Sequence, residues 1–224
     1  MMKPVNERIA TLAVFLANGF GIGAWAVEVP RIKESLALGD AALGIALFAF
    51  ALGAIVAMPL AGRLAPRLGS GRATALLGAA FVVALPLPAL MPNLVALCFV
   101  LLVLGAANGA LDVSMNGHAS SIETQWNAPI MSSFHAAWSA GGLIGAATGG
   151  MLQKAGVGVV GGLALPDLFI GALVLGAAVF ALRDVGARAR APAGGFALPG
   201  AGVMKRAALA FLCMMIEGAV ADWS

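Results

Sequence analysis

Asn108, Asp112 and Asn116 stand at four-residue steps inside an otherwise apolar run. On a helix each step of four advances about 40°, so the three form one polar stripe. A carboxylate at the centre of a bilayer costs roughly 2.5–3.5 kcal/mol on insertion scales and normally faces a cavity or a partner. Asp112 is therefore either an interfacial, solvated acid or a cavity-facing carboxylate that takes up and releases a proton. A second stripe, Asn18, Gly21, Trp25 and Glu28, is spaced three, four and three. Trp25 reads as a membrane-interface aromatic or as the wall of a binding cavity; Glu28 reads as a solvated acid or a functional one. A third holds Ser132, His135 and Ser139, with Trp138 adjacent. Its histidine is suited to an interhelical hydrogen bond or to a substrate or proton role. Glu217, mid-way along the last apolar stretch, needs a partner or water for the same reason as Asp112.

The elements that hold these stripes follow from composition. Hydrophobic residues make up 61% of the 224 and charged residues 10%, against roughly 25% charged in soluble domains. Mean hydropathy is +0.99. This is an all-α membrane protein, and the bilayer is its principal partner. The net charge of +3 is dispersed over short loops, which excludes a nucleic-acid surface. Cys98 and Cys213 lie far apart in apolar runs without neighbouring ligands, and read as small hydrophobes. No metal pattern and no cofactor motif is present. The apolar run from Ile9 to Val27 follows Lys3 and Arg8; it is longer than a signal-peptide core and more spans follow, so it reads as the first transmembrane helix.

Apolar runs bounded by charge predict helix 1 over 9–29, stopped by Pro30, and helix 2 over 41–62. Helix 3 is expected over 73–90, kinked by Pro86 and Pro88, and helix 4 over 94–117. A polar connection, 118–127, leads to helix 5 over 130–152. A glycine-rich loop, 155–162, precedes helix 6 over 165–183. The expected organisation is a six-helix bundle over 1–183, a cytoplasmic linker over 184–203 and the start of a seventh helix over 204–224. With the N-terminus inside, ten of the thirteen basic residues fall in cytoplasmic segments. The positive-inside rule then gives a multi-pass plasma-membrane (inner-membrane) protein in that orientation. Gly141, Gly145 and Gly149 share one register on helix 5, as do Gly105 and Gly109 on helix 4, which predicts close helix contacts.

The segment between helices 2 and 3 runs Gly62-Arg63-Leu64-Ala65-Pro66-Arg67-Leu68-Gly69-Ser70-Gly71-Arg72. It resembles the signature loop of the major facilitator superfamily through Gly62, Arg63, Arg67, Gly69 and Arg72, with Pro66 where that family usually has an aspartate that helps latch one conformation. Leu111 to Gly117 and Ser133-Phe134-His135 are similar to the corresponding stretches of the fucose–proton symporter branch. The resemblance implies the major facilitator fold and, for Asp112, the role of protonatable carboxylate. It places His135 at a sugar-contacting position. Arg8 precedes Trp25, and Arg206 precedes Trp223, by the same seventeen residues, a faint echo between helices 1 and 7.

The reading implied is a secondary transporter of a small polar, sugar-like solute, coupled to protons and working by alternating access. On it the chain is the first half and the start of the second of a twelve-span protein, with a C-terminal half expected as partner. The rival readings are a drug or metabolite efflux antiporter, against which the missing glycine-proline signature of helix 5 argues, and a non-transporting sensor or fragment. An intramembrane enzyme using His118 or His135 lacks a Gly-x-Ser-Gly or His-Glu-x-x-His pattern.

Overall fold

The structure is a computed structural model that describes residues 5–180, 200–209 and 212. The chain divides into two compact units, Met1–Ala191 and Pro192–Ser224. In the second, residues 201–209 form a helix. Glu217, Asp222, Cys213, Trp223 and most of the 184–203 linker lie outside the described residues.

The first unit contains α1 (Val5–Ser35), α2 (Asp40–Leu68), α3 (Ser70–Ala84), a single 3-10 turn (Leu87–Leu90), α4 (Leu94–Trp126), α5 (Met131–Lys154) and α6 (Val159–Phe180). Among the described residues α1, α2, α3 with its 3-10 turn, α4 and α6 are long and apolar enough to cross a membrane. α5 carries the polar Ser132, Ser133, His135, Ser139 and Thr148 among its glycines.

Several helices outrun their predicted ends. α1 passes through Pro30, and α2, expected to end at 62, runs on through Pro66 to Leu68. A proline removes one i→i−4 bond, and in spanning helices neighbouring groups and local adjustments re-satisfy what it frees. The expected connection 118–127 is instead the last turns of α4, whose Ser121 and Thr124 hydroxyls bond back to the carbonyls of Gly117 and Ser120. Glycines 161 and 162 of the expected loop lie inside α6. Pro86 and Pro88 do more than kink: the α-helix ends at Ala84. Asn93 then caps α4, its side chain accepting the Ala96 N–H at 3.0 Å.

The packing has an internal symmetry. α1 runs along α5 and α6; α4 runs along α2 and α3; α3 and α6 touch each other. Exchanging α1–α3 with α4–α6 maps each pair onto another, the arrangement of two three-helix repeats. Both long pairs are glycine seams. In the α1/α5 seam a methyl at Gly19 or Gly23 would overlap the carbonyl of Trp138 or Gly142, and one at Gly141 or Gly145 that of Leu16 or Phe20. In the α2/α4 seam Gly53 faces the Leu102 carbonyl and Gly105 that of Phe50. Lipid tails are as apolar as leucine, so such close backbone approach, not hydrophobic burial, holds these helices together. Between the seams lies an apolar core that includes Phe15, Phe81, Leu104, Leu111, Met115 and Phe134, all at most 1% exposed.

Candidate functional site

One set of polar groups inside the bundle meets where α1, α4 and α5 come together. Asn18, 3% exposed, donates through Nδ2 to Asn108 Oδ1 at 2.8 Å. Its own Oδ1 accepts the Trp138 indole N–H at 2.9 Å. Asn18 thus ties three helices together and satisfies polar groups that lipid would leave unpaired. The glycine seam brings them within reach, since Gly19 packs on the Trp138 backbone itself.

One turn along α4, half-buried Asp112 accepts from Asn116 Nδ2 at 3.1 Å, and the same amide also reaches the Asp112 carbonyl at 2.9 Å. His135, exposed on α5, lies within electrostatic reach of Asp112. Its ring meets Phe15 edge-on, centroids 5.7 Å apart. Asn18, Asn108, Asp112, Asn116 and His135 therefore belong to one polar zone, joined by Trp138. Trp25 lies further along α1, stacked on Phe50 at 5.4 Å with 13° between the planes. Its indole nitrogen is buried without a hydrogen-bond partner among the described residues.

Glu28 sits elsewhere. It is fully buried and receives Arg31 Nη1 on both carboxylate oxygens at 3.0 Å. Its carboxylate packs against Gly162 of α6, while Arg31 Nη2 also donates to the Val157 carbonyl at 2.7 Å. Gln153 Nε2 bonds the Val27 carbonyl at 2.8 Å. Glu28 thus fastens α1 to the α5–α6 turn rather than joining the asparagine zone.

The Gly62–Arg72 segment is almost wholly helical. Gly62, Arg63 and Arg67 belong to α2 and Arg72 to α3; Gly69, at φ 94°, is the one residue between the two helices. Its N–H bonds the Ala65 carbonyl at 3.0 Å and its carbonyl accepts from Ala73 at 2.9 Å. Ser70 Oγ meets Nδ1 of fully buried His118 at 2.9 Å. Thr74 and Ser114 pair their hydroxyls at 3.1 Å, so the start of α3 is pinned to α4.

From the sequence, His118 reads as part of a connection or as the histidine of the rival enzyme, and Arg8 as a topological charge and the start of the echo with Trp25; their contacts with Ser70 and Trp126 carry no sequence signal. Asp167 went unread, although an acid within an apolar run is itself a signal; it lies in α6 with a buried Oδ1 that has no hydrogen-bond partner among the described residues. No group of three or more His, Cys, Asp or Glu side chains placed to hold a metal occurs among the described residues.

No family profile matches the sequence. An MFS-type transporter of Yersinia pestis, itself uncharacterized, is 34% identical over 98% of this chain and 57% of its own length. An uncharacterized transporter of Sinorhizobium fredii is 33% identical over 95% of the chain and 56% of its own. The membrane protein MosC of Rhizobium meliloti is 34% identical over 94% and 51%. The chain is homologous to these proteins along nearly its whole length. The all-α bundle has the major facilitator fold, and the protein is a multi-pass membrane protein. It spans a little over half the length of the curated relatives it matches, which are named as transporters and a membrane protein, not as enzymes.

Proposed function

We propose that the chain is the first half of a secondary transporter that moves a small polar, sugar-like solute by alternating access and couples it to protons. On this reading it sits in the inner (plasma) membrane with its N-terminus in the cytoplasm, and a second six-helix half opposes this bundle across the solute path. The observation that carries the reading is the polar zone itself. Asp112, with Asn116 on one side and His135 within electrostatic reach, lies one turn from the Asn108–Asn18–Trp138 chain. A carboxylate so placed has few ways to be neutralised except by a proton or a passing cation, and the surrounding amides and indole supply donors and acceptors for a hydroxylated solute. The 34% identity to an MFS-type transporter supports the transport class.

The deciding experiment uses the complete protein in proteoliposomes. Asp112→Asn mimics the protonated acid and is expected to keep counterflow exchange while losing accumulation driven by a pH gradient. A normally expressed Asp112→Asn protein that still concentrates its solute removes Asp112 as the coupling group. Absence of any uptake or counterflow by the unaltered protein, across sugars, polyols and organic acids, removes the transport reading.

A further inference from the structure

Arg8 opens the stripe of α1 that continues, at steps of seven, three and seven residues, through Phe15, Asn18 and Trp25. Its guanidinium carbon lies 4.6 Å from the centroid of the Trp126 ring at the end of α4. Nη2 reaches Ser133 Oγ in the first turn of α5 only at 3.5 Å, the far limit of a hydrogen bond. Nε is buried and has no acceptor among the described residues. Arg31 pairs with Glu28 and Lys33 with Asp40; neither pair involves Arg8. Glu123, the acid of this corner, is already engaged: its Oε2 accepts the backbone N–H groups of Ile130 and Met131 at 2.8 and 2.6 Å.

The result is a half-buried cation over an indole and near a helix start, with no carboxylate within ion-pair distance among the described residues. The guanidinium is a rigid fork matched to carboxylate and phosphate oxygens, and its place over the indole restrains it. We propose that Arg8, restrained by Trp126, forms a binding site for a single carboxylate- or phosphate-type anion. That group belongs either to a small soluble anion or to a lipid headgroup, and the site stands whether or not the protein moves a solute.

The test places the chain in nanodiscs of phosphatidylcholine and follows iodide quenching of tryptophan fluorescence, with Trp126→Phe isolating the signal of Trp126. Malonate and inorganic phosphate are the soluble probes and sorbitol the neutral control. Saturable protection of Trp126 by malonate or phosphate, but not by sorbitol, is expected for a soluble-anion site. Protection that appears only when phosphatidylglycerol replaces part of the phosphatidylcholine identifies the headgroup as the occupant. Arg8→Gln abolishes either effect. Arg8→Lys keeps the charge without the fork and weakens it on the order of tenfold or more, the loss of one charge-assisted hydrogen bond. The proposal is overturned if the unaltered chain shows no anion-dependent protection in either lipid, a result that does not depend on any variant folding. It is equally overturned if Arg8→Gln, folded by circular dichroism, is protected as well as the unaltered chain. Solute uptake is measured apart from this assay, so the transport reading stands or falls separately.

Discussion

Asn18 and Asn108 exchange a side-chain hydrogen bond of 2.8 Å between α1 and α4, the first helices of the two three-helix repeats. The bond joins the two glycine seams, since Asn18 precedes Gly19 of one and Asn108 precedes Gly109 of the other. Interhelical bonds of this kind contribute about 0.6 kcal/mol on average, with a maximum near 1.7. A double-mutant cycle of Asn18→Ala and Asn108→Ala, followed by unfolding in detergent, is expected to give a coupling of about 0.5–1.5 kcal/mol. Additive single losses would mean the bond contributes nothing measurable.

Two glycines of α5 only five residues apart are expected to behave in opposite ways. A methyl at Gly145 meets the backbone of Phe20, whereas one at Gly150 meets nothing within 4 Å. Gly145→Ala is expected to lower stability by about 1–3 kcal/mol, the usual cost of overpacking. Gly150→Ala should stay within about 0.5 kcal/mol of the unaltered chain. Equal melting temperatures for the two variants would contradict the close seam.

The Glu28–Arg31 pair predicts an asymmetry of a different kind. Removing Arg31 strands a fully buried carboxylate, so Arg31→Met should cost about 3 kcal/mol, the lower end for breaking a buried pair, because Arg31 itself keeps 26% exposure. The double variant Glu28→Gln with Arg31→Met should recover part of that loss. Thermal denaturation of the three proteins settles the order; a double variant less stable than Arg31→Met would refute it.

For the proposed orientation, accessibility is the readout. Pro92 and Asn127 are both exposed and lie in the α3–α4 and α4–α5 connections. With Cys98 and Cys213 replaced by alanine, Pro92→Cys is expected to react with a membrane-impermeant maleimide in intact cells. Asn127→Cys should react only after permeabilisation. The reverse pattern would invert the topology.

Much of this was legible in the residues. The apolar runs located six helices, and the Gly141–Gly145–Gly149 register announced a close contact of helix 5 without saying that α1 would be its partner. Helix ends were less legible: Pro30 read as a stop by the rules of water, where a freed carbonyl is readily solvated, and the basic Arg63–Arg72 segment read as a loop. The Asp112–Asn116 pair was visible because both residues lie on one helix. Trp138 on Asn18 and Arg8 over Trp126 join residues 120 and 118 positions apart, and no periodicity reports such contacts. Glu28 was misplaced for the opposite reason. Its partner stood three residues away but had been assigned to a loop.

Gly69 alone separates the 29 residues of α2 from α3. At 1.5 Å per residue α2 is a rod of roughly 43 Å. A turn of about 10° at its Gly69 end sweeps its far end through roughly 7 Å by that length. Such a tilt cannot belong to α2 alone, because Gly53, Gly105 and Gly109 hold its backbone against that of α4. The two helices form one stiff arm, and Gly69 is where that arm is joined to α3.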